Sequence, residues 1–298
     1  MKNEKWTAEN IPSQKGKIAI VTGSSSGIGL EAARVLANKG AEVIIAVRNN
    51  AKGEKAVQKI INQNSKANVK LMLLDLAELK SVEKFVKQFE QKYTKLDLLI
   101  NNAGVMMPPY GKTKDGFELQ FGTNHLGHFA LTGQLLELIN KTPNSRIVNV
   151  SSIAHTRGNI DFSDINWESR KYNAMKAYGD SKLANLYFSY ELIDRLGKTG
   201  NNPIVTSAHP GWTATDLQRH SGIFKFLNFL AMKIEQGALP SLRAATDLNA
   251  KSGDYFGPDK FQEWRGYPVK VESNALSNNK KIAKKLWKVS EDLTGVKI

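Results

Sequence analysis

The 298-residue chain contains no cysteine. This absence excludes disulfide bonds, thiolate nucleophiles and zinc sites built on thiolates, so any chemistry must use oxygen or nitrogen groups. No stretch approaches the roughly 18 consecutive apolar residues of a membrane-spanning helix. The N-terminus also lacks the apolar segment followed by small residues that is typical of a secretory signal. These absences predict a soluble protein located in the cytoplasm.

Acidic residues are few relative to basic ones. The chain has 28 Asp and Glu against 42 Lys and Arg, which gives a formal net charge of +14. Such a surplus attracts anions, including nucleotides, nucleic acids and acidic lipids. Most of the cations are lysines scattered among Asn and Gln, however, and no aromatic residues interleave with them as they do in single-strand binders. We therefore expect no nucleic-acid partner.

From residue 17 onward, short apolar runs alternate with longer segments of helical period. This alternation is typical of repeated βαβ units, whose right-handed connections place helices on both faces of a parallel sheet. The sequence therefore predicts an α/β fold with a doubly wound, mainly parallel sheet, formed by one domain at 16–298 behind an N-terminal arm at 1–15. The expected strands are 18–22, 42–47, 69–74, 96–100, 146–151 and 204–208, and the expected helices are 28–38, 52–62, 79–92, 116–138 and 174–196.

A glycine-rich turn follows the first expected strand and opens into an amphipathic helix. Gly23 permits the tight turn, Gly27 lets the backbone approach a pyrophosphate, and Gly29 allows close packing of helix and sheet. The helix N-terminus adds free amides and a favourable dipole for phosphate. In this setting the turn predicts a Rossmann-type dinucleotide site whose residues are Gly23, Ser25, Ser26, Gly27, Ile28 and Gly29.

The end of the second expected strand distinguishes between the two dinucleotides. An acid there would bind the adenine ribose hydroxyls of NAD(H), but the strand runs into Arg48. Its guanidinium could pair with a 2′-phosphate, so NADP(H) is preferred over NAD(H), with an exposed surface Arg as the alternative. Asp75 and Leu76 follow the third strand and are expected at the adenine edge. The alternative for Asp75 is capping of the next helix.

Tyr178 and Lys182 are four residues apart in the 174–196 helix, so they lie on one face about one turn apart. A tyrosine is a poor base at neutral pH, but a neighbouring ammonium favours the phenolate and lowers the phenol pKa. The pair is therefore expected to transfer a proton. On its own, the same spacing also describes an inert surface pair.

Several ordered motifs resemble the short-chain dehydrogenase/reductase family. They are the turn from Thr22 to Gly29, Asn101-Asn102-Ala103-Gly104, Asn124, Ser151-Ser152, Tyr178 with Lys182, and Pro210-Gly211. The resemblance covers roughly 16–258. The runs around Asn124 and Lys182 are similar to the branch that contains retinol dehydrogenases and protochlorophyllide reductases.

The resemblance implies a single-domain Rossmann fold and an oxidoreductase that interconverts a carbonyl and an alcohol. It implies that Tyr178 transfers the proton, Ser152 binds the substrate oxygen, Lys182 holds the ribose and tunes the tyrosine, and Asn124 completes a proton relay. Ser152 is preferred to Ser151 because the family places its serine second in such a pair. The further cofactor residues that the resemblance implies are Asn102, Ala103 and Gly104 on the adenosine side, and Pro210, Gly211, Thr213 and Thr215 near the nicotinamide.

The substrate is less defined. The interval between Ser152 and Tyr178 is longer than in compact members of the family, which predicts an added loop near the site. Three phenylalanines at 223–232 lie in a segment, 212–235, where the family covers its substrate. They suggest an apolar substrate, or equally a helix docked on the core.

A C-terminal helix is expected at 279–295, with Ile282, Leu286, Val289 and Leu293 on one stripe bordered by lysines. Such a helix packs on the domain or a second subunit, or lies on an acidic membrane surface. The second of these alternatives would make the protein a homo-oligomer. His125 and His128 are three residues apart but have no evident third ligand, so no metal is expected.

Two alternatives to carbonyl chemistry remain. A related enzyme could reduce a carbon–carbon double bond, although the chain offers no cysteine as a second proton donor. A nucleotide-binding regulatory protein could retain the fold without turnover, because fold alone does not prove activity. The intact set of Ser152, Tyr178 and Lys182 favours the active enzyme.

Overall fold

The computed structural model describes residues 5–197, 203–213 and 231–298. Within them, eight strands form one sheet in the order β3-β2-β1-β4-β5-β6-β7-β8. All neighbouring strands are parallel except β7 and β8, which form an antiparallel pair. The strands are β1 (Ile18–Thr22), β2 (Glu42–Val47), β3 (Asn68–Leu73), β4 (Leu98–Asn101), β5 (Arg146–Val150), β6 (Ile204–Ala208), β7 (Tyr255–Lys260) and β8 (Arg265–Val271).

The helices lie on both faces of this sheet. They are α1 (Gly27–Asn38), α2 (Asn50–Gln63), α3 (Leu79–Glu90), α4 (Gly127–Lys141), α5 (Ala174–Leu196), α6 (Ile234–Gly237), α7 (Leu239–Thr246) and α8 (Lys280–Thr294). One apolar core joins the sheet to α1, α2 and α7, and a second joins its other face to α3, α4 and α5. The predicted doubly wound α/β fold is confirmed.

The continuous apolar runs of the central strands follow from this two-faced burial, because parallel strands covered on both sides have no solvent face to alternate with. Every residue of β2 after Glu42 is buried, and so is every residue of β4. The β1 and β4 strands are neighbours although two strands separate them in sequence. The chain reverses direction across the sheet there, and this is the position where doubly wound sheets open a crevice for ligands.

The expected single helix at 116–138 is wrong in its first half. A short helical turn, Leu119–Phe121, continues into a π-helical turn, Gly122–Leu126, before α4 begins at Gly127. The apolar spacing is similar in both helix types, so periodicity did not distinguish them. Insertions of π-helix are frequent at functional sites.

The β7–β8 hairpin lies beyond the six strands expected from the sequence. Its strand pattern is weak because β7 contains Gly257 and Pro258, and β8 contains Gly266 and Pro268. Both residue types are rare in strand interiors. The prolines lie opposite each other near the sheet edge, where a missing amide proton is tolerated.

The two ends of the described chain pack on the domain. Ile11, within the predicted arm, is buried in the core beside α1. In α8, Leu286 and Trp287 are buried, and Trp287 packs on Phe129 and Phe188. The helix therefore covers α4 and α5, as the packed alternative required, while the lysines that border its apolar stripe are exposed. None of the helices at 5–197, 203–213 or 231–298 is both long and apolar enough to cross a membrane.

Candidate active site

The residues singled out from the sequence lie at the carboxyl ends of β1, β4, β5 and β6 and on the adjoining helices. Parallel register brings these strand ends to one edge of the sheet. Two parts can be distinguished. The glycine turn after β1 is the first part, and the side chains around Tyr178 are the second.

The glycine turn is built by backbone geometry. Gly23 and Gly27 have φ of +67° and +58°, a region that L side chains rarely adopt. A Cβ at Gly23 would lie 2.8 Å from the Ala103 Cα, and one at Gly29 would lie 2.8 Å from the Gly23 carbonyl oxygen. Ser26 precedes α1 without capping it through its side chain. The turn thus offers a cradle without side chains and the amides of a helix N-terminus, which fits a dinucleotide pyrophosphate.

Thr22 joins this turn to the loop after β4. Its Oγ1 accepts hydrogen bonds from the backbone N–H groups of Asn102 and Ala103, both at 2.9 Å. The Asn102 side chain donates to the Thr22 carbonyl oxygen at 2.7 Å. A Cβ at Gly29 would collide with the Asn102 amide nitrogen. Asn102 and Ala103 therefore border the cradle and also fix its shape.

The residues expected around the adenosine occupy neighbouring strand ends. Arg48 is exposed directly after β2, at the same edge of the sheet. The Asp75 carboxylate accepts from the Ala77 amide at 3.0 Å, so it forms a local turn, while Glu78 is the residue that precedes α3. Capping of α3 by Asp75 is therefore wrong. Leu76 is buried against Gly127 at the start of α4.

Tyr178 and Lys182 are both buried in α5. The Lys182 Nζ lies 5.8 Å from the centroid of the Tyr178 ring and donates to the Val150 carbonyl oxygen at 3.0 Å. Burial raises the pKa of Tyr178 to about 12, and a hydrogen bond with the Ser152 hydroxyl only partly opposes it. Burial also lowers the pKa of Lys182 to about 8.

The expectation that the ammonium brings the phenol pKa toward neutrality is therefore wrong for this structure. Desolvation disfavours the charged form of both groups, and for Tyr178 it outweighs the opposing hydrogen bond with Ser152. The phenol is protonated at neutral pH. In this state its hydroxyl can act as a hydrogen-bond and proton donor.

The two serines after β5 have different partners. Ser151 donates its hydroxyl to the Lys182 carbonyl oxygen at 2.8 Å, within α5. Ser152 begins the 3₁₀ turn Ile153–Arg157, where its Oγ accepts from the Ala154 amide at 3.2 Å, and it also contacts the Tyr178 hydroxyl. The contact with the Tyr178 hydroxyl is therefore made by Ser152, whereas the Ser151 hydroxyl bonds the backbone of α5.

Asn124 is fully buried in the π-helical turn. Its Oδ1 accepts from the Val105 amide at 2.8 Å, and its Nδ2 donates to the Ser181 Oγ at 2.9 Å. The Asn124 Oδ1 and the Lys182 Nζ lie 3.1 Å and 3.5 Å from the point where a Cβ on Gly104 would stand. Gly104 thus leaves the space in front of both polar side chains open.

The loop after β6 lies beside the serines, because the Ser151 amide donates to the Ala208 carbonyl oxygen at 2.8 Å. Gly211 has a φ of +61°, and Thr213 donates its hydroxyl to the Pro210 carbonyl oxygen at 2.9 Å. Thr215 and most of the segment at 212–235, including the three phenylalanines, lie outside the described residues.

The two histidines near Asn124 serve the fold. His128 bonds the Asn124 carbonyl oxygen through Nδ1 at 2.9 Å and the Thr22 Oγ1 through Nε2 at 2.9 Å, so it joins the two parts of the site. Burial lowers its pKa to about 4, so the ring is neutral. His125 contacts Ser290 of α8. Over 5–197, 203–213 and 231–298 no cluster of three His, Cys, Asp or Glu could hold a metal.

A second group of buried polar residues was not expected from the sequence. The Gln120 carboxamide accepts from the Met107 amide at 2.9 Å and donates to the Ala174 carbonyl oxygen at 2.9 Å and to the Tyr172 hydroxyl at 2.8 Å. Tyr172 in turn donates to Glu118. Gln120 therefore ties the loop after β4 to the start of the helix that carries Tyr178. The sequence did not predict this role of Gln120, because an isolated polar residue in a helical segment carries no sign of its distant partners.

Comparison with known proteins identifies the class of enzyme. The model of the short chain dehydrogenase family matches residues 17–223, and the chain belongs to that family. It is accordingly an oxidoreductase that acts on CH–OH and C=O groups with a nicotinamide dinucleotide.

Several similar proteins are retinol dehydrogenases, in agreement with the predicted branch. Retinol dehydrogenase 12 of Mus musculus is 44% identical over 287 residues, covering 94% of this chain and 87% of that protein. Retinol dehydrogenase 11 of Homo sapiens is 43% identical over 95% of this chain and 87% of its own length. The chloroplastic short-chain dehydrogenase TIC 32 B of Brassica napus is 43% identical over 84% of this chain and 83% of its own.

A solved structure of an uncharacterised protein from Mycobacterium paratuberculosis superposes with a TM-score of 0.84. The two proteins are 38% identical over 99% of both chains. The predicted fold and enzyme class are therefore confirmed.

Proposed function

We propose that this protein is an NADP(H)-dependent oxidoreductase that interconverts an apolar carbonyl compound and its alcohol, with Tyr178 transferring the proton. The observation that carries the proposal is the grouping of Tyr178, Ser152 and Lys182 at one strand edge. The two hydroxyls contact each other and the ammonium lies under the tyrosine ring. The Lys182 ammonium of this grouping borders the space that Gly104 leaves free.

In the reductive direction, the reduced nicotinamide supplies the hydride when it is bound. Ser152 and Tyr178 hydrogen-bond the carbonyl oxygen and polarise it. As the carbon gains the hydride, the neutral phenol of Tyr178 passes its proton to that oxygen and the alcohol forms. The phenolate left behind is buried, so the nearby Lys182 ammonium is needed to stabilise it. Asn124 holds the loop that faces this group in place.

Arg48 supports the preference for NADP(H), and Asn124 with Ser181 supports the proton relay. Arg48 is exposed after β2, where an acid would favour NAD(H). Asn124 and Ser181 connect Lys182's helix to the π-helical turn. The apolar substrate is supported by the names of the relatives, because retinol is a largely apolar alcohol.

The proposal is tested by replacing the Tyr178 hydroxyl. Tyr178→Phe removes the proton donor but keeps the ring, so turnover should fall by about 10²- to 10⁴-fold. Binding of NADPH should stay within about twofold of wild type because the glycine turn is untouched. Turnover is followed by NADPH absorbance with a panel of long-chain, terpenoid and small polar carbonyl compounds.

Tyr190→Phe is the matched control. Tyr190 belongs to the same helix, and its hydroxyl shares a hydrogen bond with Ser273, which is not one of the proposed site residues. The control should retain wild-type turnover. Full activity of Tyr178→Phe would refute tyrosine catalysis, and equal preference for polar substrates would refute the apolar substrate. The cytoplasmic location and a homo-oligomer stay predictions.

A further inference from the structure

A buried histidine and a partly exposed glutamate form a contact that the proposed mechanism does not use. The Nε2 of His209, which follows β6, lies 2.8 Å from the Oε2 of Glu263 in the β7–β8 turn. The His209 side chain is fully buried, and that of Glu263 is 36% exposed. The contact joins residues 54 positions apart in sequence. It also joins the loop after β6 to the far edge of the sheet.

The second ring nitrogen fixes the direction of this hydrogen bond. The Gly211 amide donates to the His209 Nδ1 at 3.3 Å, so Nδ1 is the acceptor and Nε2 carries the proton. The imidazole therefore donates a hydrogen bond to the Glu263 carboxylate and accepts one from the Gly211 amide. One ring connects the acid to the backbone of Gly211.

The turn that carries Glu263 has an unusual backbone. Phe261, Gln262 and Glu263 have φ of 52°, 52° and 66°, three consecutive residues other than glycine in the left-handed region. Such conformations persist only where the surroundings hold them, and they cluster at functional sites. The contact with His209 is one of the interactions that hold this turn.

The same turn touches the loop at a second point. The Trp212 amide donates to the Trp264 carbonyl oxygen at 2.8 Å, and the two indole rings meet edge to face at 5.6 Å between centroids. A Cβ on Gly211 would lie 2.6 Å from that same carbonyl oxygen and 3.0 Å from the Glu263 carbonyl oxygen. The backbones of Gly211 and Trp212 therefore lie close to those of Glu263 and Trp264.

His209 is also connected to Ser152 through two intervening side chains, Tyr255 and His155. The Tyr255 ring contacts the His209 ring at 5.2 Å and the His155 ring at 5.8 Å. His155 bonds the Ser152 carbonyl oxygen through Nδ1 at 2.7 Å. A displacement of His209 would therefore shift the loop after β6 and, through Tyr255 and His155, the start of the turn at Ser152.

We propose that Glu263 is a positioning residue that acts through His209 to fix the loop 210–213 where it receives the nicotinamide half of the dinucleotide. The inference rests on the proposed function, which places this loop at the nicotinamide. Glu263 touches neither cofactor nor substrate in this proposal. It sets the backbone that does.

The test separates the two halves of the cofactor. Binding of NADPH and of its fragment 2′-phospho-ADP-ribose, which lacks nicotinamide, is measured by calorimetry for wild type and variants. NADH and ADP-ribose are measured in parallel, so the outcome does not depend on the 2′-phosphate. For Glu263→Ala we expect about tenfold weaker binding of the whole dinucleotide, the usual effect of losing a hydrogen bond to a charged group, and unchanged binding of the fragment.

Two further variants isolate the cause. Glu263→Gln keeps an oxygen that accepts the Nε2 proton, so its dinucleotide affinity should stay within about threefold of wild type. Glu272→Ala removes the same charge from an exposed position just after β8 and should bind both ligands as wild type does. Thermal unfolding of each variant reports on the fold independently.

The inference is overturned if Glu263→Ala binds whole dinucleotide as tightly as wild type. It is also overturned if that variant loses affinity for dinucleotide and fragment equally, because the effect would then be general. Wild type could also bind each dinucleotide no more tightly than the matching fragment without nicotinamide. The loop would then contribute nothing to binding of the nicotinamide half, and the inference would fail. If wild type binds neither ligand, the proposed function itself fails.

Discussion

The two parts of the candidate site are built from different materials. The glycine turn after β1 presents backbone, and its shape depends on the absence of side chains at Gly23, Gly27 and Gly29. The reacting part presents buried side chains, with Tyr178 and Lys182 protected from water and their pKa values moved in opposite directions by burial. In the proposed function, the first part binds the cofactor through amides that do not titrate. The other depends on groups whose protonation can change.

This difference also explains how far each part could be inferred. A backbone cradle can be recognised in a short stretch of sequence, because the glycines must fall at fixed spacing between a strand and a helix. A side-chain arrangement collects residues from distant positions, as Glu263 and His209 do. The following predictions change one part at a time and compare the results.

The largest effect in this comparison should come from Gly29→Ala. The added Cβ would lie 2.8 Å from the Gly23 carbonyl oxygen and collide with the Asn102 side chain, so the turn must open. Overpacking against backbone at this point should weaken NADPH binding about 100-fold. The loss should be equal for 2′-phospho-ADP-ribose, since the damage is on the phosphate side. Calorimetric titration with both ligands measures it.

Gly197→Ala is the matched control. Gly197 follows α5 at an exposed position, and a Cβ there meets nothing closer than the Ile193 carbonyl oxygen at 3.4 Å. This variant should bind both ligands normally. Wild-type affinity in Gly29→Ala would mean that the turn does not hold the pyrophosphate.

A smaller effect is expected from Arg48→Ala. If the Arg48 guanidinium pairs with the 2′-phosphate, its loss should weaken NADPH binding about tenfold and leave NADH binding unchanged. Arg265→Ala removes the same charge from an exposed position at the hairpin end of the sheet. Its affinities should match wild type. Equal losses of NADPH and NADH in Arg48→Ala would remove the basis for an NADP(H) preference.

Most of the fold could be predicted because parallel strands buried on both faces leave unbroken apolar runs. The bounds of β1, β2 and β6 agree with the prediction to the residue, whereas β7 and β8 were missed. Proline and glycine in both missed strands removed the apolar pattern, and pairing at the sheet edge stabilises them instead. Tertiary contact thus overrode local preference at the edge of the sheet.

The positions of the proposed catalytic residues could likewise be predicted, but their electrostatics could not. Spacing places Tyr178 and Lys182 on one face of a helix, and says nothing about how deeply the helix is buried. Burial reversed the expected direction of the tyrosine pKa. The π-helical turn around Asn124 and the role of Gln120 depend on packing partners from other segments, which no local pattern contains.

The smallest effect should appear in the pH dependence of carbonyl reduction, and only in the reacting part. Lys182 has its pKa lowered to about 8, so it is charged below that pH and loses its proton as the pH rises through it. The phenolate formed by Tyr178 then loses its stabilising cation. The value of kcat/KM for reduced cofactor at saturating carbonyl should therefore decrease about fourfold between pH 7 and pH 8.5, with an apparent pKa near 8.

Lys182→Arg, which stays charged, should abolish the decrease even if it lowers the rate. Binding of 2′-phospho-ADP-ribose should be flat over the same range, because backbone amides hold the pyrophosphate. A flat kcat/KM profile in wild type would contradict the role of the Lys182 charge, and a fragment affinity that follows the same curve would show that the two parts of the site are not electrostatically separate.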